Sequence, residues 1–342
     1  MGGATVGFSV TVGKLRARWP ASDATLDLIT LESATGVGGG WARLELGPPQ
    51  GEAPVVGDAV TIELDDGTGS RRVFTGEVDH AGSTPTAWRL RAHDGLPRLA
   101  RIDLERVWTD TTADAVIKDL LAAAKLKVAA VCEGPALRLY TALKGPRGLR
   151  LVEGLLARMG AELFIDGDGA VVVATPKTGA AAHTLTWGED LLDLQVARCP
   201  PALPGVEVRG EGASDALGAS KGHWLAKDVS ALVGRAAIDE AGAVVAGVAG
   251  QPGFTIVDGA LATAKVCKAV AEAQARLLAS RAIQGMALAL GRAAIRPGER
   301  LAIAGLPKGH SLAAVLAGES LRARRVIHRF DATAGFTTRV EF

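Results

Sequence analysis

One short segment of this 342-residue chain has the spacing of a serine nucleophile. Gly218-Ala219-Ser220-Lys221-Gly222 matches the G-x-S-x-G pattern, in which a serine hydroxyl on a strained strand-to-helix turn attacks an acyl carbon. That chemistry needs a buried strand directly before the serine, whereas residues 211–215 are polar and glycine-rich, and His223 is too close in sequence to be the usual base. The segment 211–222 therefore favours a loop. A hydrolase that uses Ser220 stays as one alternative.

Two other segments have the residue types of ligand sites but lack the spacing. Residues 36–40 are glycine-rich, yet they lack the lysine of a phosphate-binding loop and lead into a strand. Asp166-Gly167-Asp168-Gly169 has too few carboxylates for a calcium loop and is typical of a hairpin turn. The six histidines and three cysteines show no metal-ligand spacing. We expect no catalytic residue, no metal and no cofactor, and we treat loops 36–40 and 211–222 as candidate partner contacts.

Charge and composition narrow the class of protein. Lys and Arg number 38 against 37 Asp and Glu, a balance that gives no reason to expect nucleic-acid binding. With 48% hydrophobic and 22% charged residues the chain is typical of a globular protein. A carbohydrate-binding or adhesin module is the second alternative. Such modules usually present clustered aromatic side chains to a sugar, whereas the few aromatic residues of this chain are dispersed. No secretion signal and no membrane-spanning apolar run is visible, and we expect synthesis in the bacterial cytoplasm.

Hydrophobic periodicity predicts three parts. Residues 1–95 show apolar–polar alternation, typical of strands, and predict a small antiparallel barrel or sandwich. Residues 96–180 predict an α+β unit: a helix after a capping box at Thr111 and Asp114, a helix from Gly148 ended by Gly160, and a hairpin over residues 161–174. Residues 181–342 predict a second β part, with strands that include residues 191–197 and 206–209, interrupted by a long helix over residues 260–283.

The two β parts repeat one order of elements. Residues 57–62 and residues 298–303 each form a Gly-acid turn followed by a strand, and each leads to a loop, a long strand, a hairpin and a last strand. Such a turn is common, so duplicated barrels and two unrelated β domains stay equally open at this point. Four arginines lie on one late strand, which is either a solvated face or a surface that meets a partner: Arg322, Arg324, Arg325 and Arg329.

Several segments resemble the tail-hub family of contractile machines, which includes phage late control protein D, baseplate hub proteins and the N-terminal region of VgrG-type spike proteins. Residues 73–78 resemble the family's F-x-G-x-V strand, and residues 326–338 resemble its closing hairpin. Residues 139–166 resemble its signature of a Tyr-containing strand, a helix ending in glycine, an aromatic strand and an acidic turn. The strand at Leu139-Tyr140-Thr141 carries fewer aromatic residues than is usual there. The sequence contains no short needle repeats, so we expect the spike to be a separate protein.

The resemblance implies a mainly β, α+β tail-hub fold with two similar small antiparallel barrels and an inserted α+β domain. It implies a non-enzymatic homotrimer that joins the hexameric tail tube to a separate trimeric spike, contacts other baseplate components and becomes part of a tail or injection particle. Strands of both β parts would then build a ring. The candidate ring or partner residues are Val60, Ile62, Leu64, Val73, Phe74, Val78, Leu301, Ile303, Arg324, Val326, His328 and Phe330.

Overall fold

The computed structural model describes residues 6–20, 27–47, 52–145, 147–177, 179–199, 203–210, 231–240, 242–248, 253–331 and 333–342. The chain begins with seven strands, which we call the first module: β1 (Gly7–Val12), β2 (Leu15–Trp19), β3 (Asp27–Gly36), β4 (Trp41–Gly47), β5 (Ala59–Asp65), β6 (Ser70–Ser83) and β7 (Trp88–His93). The predicted alternation decides which face is buried. In β4, Leu44 and Leu46 lie in the core while Arg43 is exposed.

An α+β part follows the first module. It comprises α1 (Leu96–Ala100), β8 (Arg106–Thr112), α2 (Ala113–Ala123), β9 (Lys127–Val131), β10 (Ala136–Ala142), α3 (Gly148–Met159), β11 (Glu162–Ile165) and β12 (Ala170–Ala174). Gly160 ends α3 in a left-handed conformation at φ 59°, as predicted. The predicted hairpin is β11 and β12. Thr112, one residue beyond the predicted Thr111, is the N-cap of α2, and it makes no side-chain cap hydrogen bond.

The rest of the chain forms a second module and an insertion. The second module consists of β13 (His183–Thr186), β14 (Leu191–Arg198), β19 (Ile283–Leu290), β20 (Arg300–Ala304), β21 (Leu321–Arg322), β22 (Arg325–Asp331) and β23 (Gly335–Glu341), with the short α5 (Ser311–Val315). The insertion consists of β15 (Gly205–Gly210), β16 (Val233–Ile238), β17 (Val244–Ala246), β18 (Phe254–Asp258) and α4 (Ala264–Ala279).

The helix predicted over residues 260–283 is α4, which begins later and ends earlier than predicted. Thr263 caps α4 by accepting the Val266 N–H, 3.2 Å away, and Ile283 already belongs to β19. The buried face of α4 includes Cys267, Val270 and Ala271, and it packs against β15 and β16. The insertion is therefore an α+β layer of its own, where the sequence predicted one helix and a strand over residues 206–209.

Strands of both modules share one eleven-stranded sheet. Its order is β14-β19-β23-β22-β3-β4-β7-β6-β5-β1-β2, and the two modules join where β22 pairs with β3. The predicted mainly β, α+β fold is confirmed. Among the described residues the modules do not form two separate closed barrels, because the β22–β3 pairing makes their strands one continuous sheet.

Three hydrophobic clusters lie behind the sheets. One lies in the first module and also takes in Ala293 and Phe336 from the second. Another lies in the second module, and the third unites the α+β part with the insertion. The division into domains at residues 95 and 180 stays a prediction.

Candidate assembly interface

The two modules are built on one strand order. In the first module β3, β4, β7 and β6 follow each other, and the N-terminal part of β6 then pairs with β5. In the second module β14, β19, β23 and β22 follow each other, and β21, which directly precedes β22, pairs with β20. The internal repeat suggested by the sequence is therefore present in the hydrogen-bond network.

The correspondence holds at single residues. Gly57 donates its N–H to the carbonyl of Val78, and Gly298 donates its N–H to the carbonyl of Ala323. Val78 and Ala323 donate in return to the carbonyls of the next residues, Asp58 and Glu299. The Gly-acid turns at residues 57 and 298 thus hold equivalent places, one before β5 and one before β20.

A matching irregularity marks β3 and β14. The register of β3 on β4 shifts at Ile29, and that of β14 on β19 shifts at Leu192, in both cases one residue after a leucine. Each shift is a β-bulge, which leaves its extra residue unpaired. Ile29 and Leu192 are both exposed, which places β14 as the equivalent of β3 residue by residue.

The repeat is imperfect at the end of each module. β1 pairs with β5 antiparallel, whereas β13 pairs with β20 parallel. β6 is one continuous strand, whereas its equivalent is divided into β21 and β22. The part that repeats is therefore the run of four strands together with the strand that pairs beside its end, β5 in the first module and β20 in the second.

Within the chain the modules meet along β3 and β22. These strands pair antiparallel, with Gly36 opposite Arg325 and Thr30 opposite Asp331. Beyond the pairing, the ring of Phe330 lies 4.9 Å from that of Phe8 in an edge-on arrangement. This joint is the contact by which the two modules of one chain bind each other.

A buried histidine lies at the joint. His328 in β22 is opposite Ser33 in β3, and its Nδ1 lies 3.0 Å from the Thr338 hydroxyl. Burial lowers the pKa of His328 from 6.5 to about 4, although the nearby Asp66 carboxylate opposes that shift. The imidazole is therefore neutral near pH 7, and its protonation would place a charge in the joint.

A carboxylate makes a further contact between the modules. Asp66, in the turn after β5, accepts the backbone N–H of Ala293 at 2.9 Å. Burial raises the pKa of Asp66, but hydrogen bonds from Thr68 and Ala293 outweigh burial and hold that pKa below its usual value. The ionised carboxylate is thus the form that bridges the modules.

Several strands have an edge that no described strand covers, β2 at one end of the large sheet among them, and two such edges correspond to the joint between the modules. β14 is the last strand at one end of the large sheet and pairs only with β19. In β6, residues 77–83 pair with β7 on one side, while the pairing with β5 on the other side ends at Glu77. Uncovered edges present backbone donors and acceptors that another strand can pair with.

The outward face of the large sheet carries several pairs of an arginine and a carboxylate. Arg91 lies 2.9 Å from Asp79, Arg89 lies 3.2 Å from Glu45, and the exposed side chains of Arg339 and Glu341 lie 2.8 Å apart. Surface pairs of this kind contribute about 0–1 kcal/mol each. They make this face polar, so that the strand edges, and not this face, are suited to pairing with another chain.

The candidate ring residues named from the sequence lie mainly inside the modules. Nine of the side chains are buried in the cores or the joint: Val60, Ile62, Leu64, Val73, Phe74, Val78, Leu301, Val326 and His328. Ile303, Arg324 and Phe330 are half-buried. Only His328, Val326 and Phe330 lie on the strand that joins the modules, and Arg324 directly precedes it. Sequence periodicity identified the strands and did not single out the edges.

The arginines of the late strand have different surroundings. Arg322 is buried against the carboxylate of Glu162 in the α+β part, and Arg324 lies 3.5 Å from the same carboxylate. Arg329 is exposed and lies 3.2 Å from Asp331. Arg322 and Arg324 therefore hold two parts of one chain together.

The glycine-rich loop 36–40 is packed within the chain. Gly38 donates to the carbonyl of Leu163 at 3.2 Å, and Gly40 donates to the buried carboxylate of Asp94 at 2.5 Å. Burial raises the pKa of Asp94, and hydrogen bonds from Leu96 and Gly40 oppose that rise only in part. In this chain the loop contacts β11 and the turn that follows β7.

Ser220, His223 and the loop 211–222 lie outside the described residues. Elsewhere in the described chain, no cluster of three or more His, Cys, Asp or Glu side chains has metal-site geometry. Cys132, Cys199 and Cys267 are free thiols. None of the described helices combines the length and the hydrophobicity needed to cross a bilayer.

Comparison with known proteins identifies the fold. No protein-family model and no curated protein matches the sequence. A tail protein from Neisseria meningitidis has a similar structure, with a TM-score of 0.66 at 12% identity over 98% of this chain and 95% of that one. A 43 kDa tail protein of prophage MuSo2 from Shewanella oneidensis has a TM-score of 0.63 at 12% identity, over 98% and 97% of the two chains.

A third similar structure is the c3393 protein of E. coli, described as a component of the type VI secretion system with structural similarity to phage T4 tail proteins gp27 and gp5. Its TM-score is 0.56 at 11% identity, over 97% of this chain and 75% of that one. The chain therefore has the fold of phage tail proteins, as the resemblance in the sequence predicted.

Proposed function

We propose that this protein is a structural, non-enzymatic subunit of a phage-type tail or a related injection system, in which it forms the homotrimeric hub between tube and spike. The observation that carries the proposal is the internal repeat of the four-strand run with its Gly-acid turn. A chain with two equivalent modules lets three copies present six equivalent surfaces. The similarity to tail proteins supports the same role.

The repeat gives a physical route between two symmetries. The four-strand runs and their turns repeat from module to module, so one side of the ring would match a hexameric tube. The α+β part lies between the two modules in sequence, and the insertion lies only in the second. These parts occur once per chain and give the other side threefold symmetry, which suits a separate trimeric spike.

Binding and geometry, without bond breaking, would perform this function. The proposed partners are two further copies of the chain, the tail tube protein, the spike protein and other baseplate components. After its synthesis the protein would reside in the assembled tail or injection particle. Head-to-tail contacts between unlike surfaces are the arrangement that closes such a ring.

The experiment is the mass and symmetry of the purified chain, alone and mixed with the tube and spike proteins of the same particle. Light scattering should give a trimer, and negative-stain averages should show a ring with six equivalent lobes on the side that binds the tube. A stable monomer that binds neither the tube protein nor the spike protein would overturn the proposal.

A further inference from the structure

The internal repeat points to the partner of each uncovered edge. Inside one chain β3 of the first module pairs with β22 of the second. The equivalent of β3 is β14, and the equivalent of β22 is the C-terminal part of β6. Both equivalents are among the segments whose outer sides no described strand covers. They are thus the two halves of a joint that one chain cannot close by itself.

We infer that β14 of one copy pairs antiparallel with residues 80–84 of the next copy, with Cys199 opposite His80 and Gln195 opposite Thr84. This inference rests on the trimeric hub proposed above and gives its subunit interface. Since neighbouring β4–β7 and β19–β23 pairs make Arg91 equivalent to Glu341, His80 is equivalent to Arg325. The bulges make Cys199 equivalent to Gly36, the residue opposite Arg325.

The backbone directions of β14 fit this register. Gly285 exchanges both of its backbone hydrogen bonds with Phe342, so its partner Val196 presents its N–H and carbonyl away from β19. Cys199 donates toward β19, to the carbonyl of Ala282, at 2.7 Å. Alternation along the strand then turns the backbone groups of Arg198 outward as well.

The backbone directions of β6 are complementary. Thr84 donates toward β7, to the carbonyl of Ala87, so alternation turns Ser83 and Ala81 outward. The register places Ser83 opposite Val196 and Ala81 opposite Arg198. The backbone groups of both residues in each of these two pairs point toward the other strand. Each pair can therefore exchange two backbone hydrogen bonds. Pro85, which has no N–H, ends the pairing after Thr84.

The side chains leave room for a strand on both edges. Gly82 would face Ala197, two small residues, and a Cβ placed on Gly82 would meet no atom closer than 3.5 Å. Gln195, Ala197 and Arg198 are exposed. Leu192, which bulges from β14, is 48% exposed, an apolar side chain left without cover on the edge. A second copy of this chain supplies the complementary edge.

A native cysteine makes the register testable by one substitution. Cys199 and His80 would form a non-hydrogen-bonded pair, whose Cα atoms lie about 4.5 Å apart, within disulfide reach. We therefore propose His80→Cys, treated with diamide, which takes up the two hydrogens lost by the thiols. Within one chain the two residues are separated by seven strand-to-strand steps, about 33 Å along the sheet. A bond between two copies gives a multimer on a non-reducing gel, whereas a bond within one chain leaves a monomer.

The expected product is a covalent trimer on a non-reducing gel, absent from the His80→Cys, Cys199→Ser double variant. Ser83→Cys is the matched control, because Ser83 lies on the same exposed edge and points to the other face of the sheet. Thermal melting shows whether each variant folds like the parent. A trimer by light scattering without the His80→Cys bond, or equal bonding by Ser83→Cys, overturns this pairing and leaves the hub standing. A monomer in the presence of tube and spike proteins overturns both.

Discussion

Gly57 and Gly298 lie 241 residues apart in the sequence and both have a positive φ, of 98° and 86°. Each glycine donates to the strand opposite, at 2.9 Å to Val78 and at 2.7 Å to Ala323. Each precedes an acidic residue and then a strand that enters its own module. The matching place of the two turns in the two modules supports an internal duplication, and the positive φ favours glycine at both positions.

These two glycines should respond differently to the same substitution. A Cβ at position 57 meets no atom within 4 Å, so Gly57→Ala adds only backbone strain, about 1–2 kcal/mol. A Cβ at position 298 would lie 3.3 Å from the ring of Phe164, so Gly298→Ala should destabilise the protein more. Urea unfolding followed by tryptophan fluorescence measures both. Equal losses would show that the Phe164 ring yields without a penalty.

The buried histidine predicts acid sensitivity. His328 has a pKa of about 4 in the folded protein and 6.5 when free, so the unfolded chain binds more protons between these values. The free energy of unfolding contributed by this residue is therefore complete above pH 6.5 and falls as the pH drops toward 4. The total fall is about 3 kcal/mol, from about 1.4 kcal/mol for each pH unit.

The measurement is the free energy of unfolding at pH 7 and at pH 4.5 for the parent and for His328→Asn. Carboxylates that titrate in both proteins cancel in the difference between the two curves. The variant should lose stability at pH 7, because it leaves space in the joint, but it should decline less on acidification. Parallel curves would show that the imidazole does not carry this dependence.

The hairpin of the α+β part docks on β6 through a glycine. A Cβ at Gly167 would lie 2.0 Å from the carbonyl oxygen of Arg72, and the Thr75 hydroxyl donates to the Gly167 carbonyl at 2.7 Å. Gly167→Ala should therefore force the hairpin away, at about 1–3 kcal/mol. Thr75→Val removes only the hydrogen bond and should lose about 1 kcal/mol. Thermal melting compares the two variants, and a smaller loss for Gly167→Ala would contradict the docking.

Two substitutions distinguish the hydrogen bond between Asp66 and Ala293, which joins the modules, from the hydrogen bonds that hold the turn after β5. Asp66→Ala removes the acceptor of the Ala293 N–H, a bond to a charged group that contributes about 1.5–3 kcal/mol. Asp65→Ala is the control, since its carboxylate accepts only from Gly67 and Gly69 in the same turn. Amide hydrogen exchange at Ala293 should accelerate in the first variant and stay unchanged in the second. Unchanged exchange in both would mean that the modules hold together without this bond.

Strands with regular alternation could be predicted from the sequence, whereas one of the strands with a bulge, β3, was missed. Residues 41–46 and residues 60–64 alternate cleanly and form β4 and β5. β3 contains the bulge at Ile29, which interrupts its period, so nothing in residues 27–36 indicated a strand. The insertion was likewise represented in the prediction only by its helix and β15, because periodicity does not reveal which sheet a short strand joins.

The candidate interface was beyond sequence reasoning for a different reason. Val60 and Val326 were named because they lie on strands, but alternation marks the buried face of a strand and not the edge of a sheet. Whether a strand is an edge depends on which distant segments pair beside it. The repeat around Gly57 and Gly298 was the one signal in the sequence that led toward the edges.

Val196 offers a substitution that separates pairing between copies from folding of one copy. Its backbone N–H faces away from β19, so Val196→Pro removes no hydrogen bond of the sheet within the chain. It does remove a donor to Ser83 of the next copy. We expect this variant to melt near the parent temperature and to lose the trimer in light scattering.

Ala197→Pro is the control for that variant, because the N–H of Ala197 faces β19. Losing a ladder hydrogen bond there should lower the melting temperature, with a destabilisation of about 3 kcal/mol or more. The two neighbouring prolines thus have opposite expected signatures, one in assembly and one in stability. A Val196→Pro protein that keeps its trimer would show that the β14 edge is not the subunit contact, since a strand cannot pair through a position that has lost its donor and gained a ring.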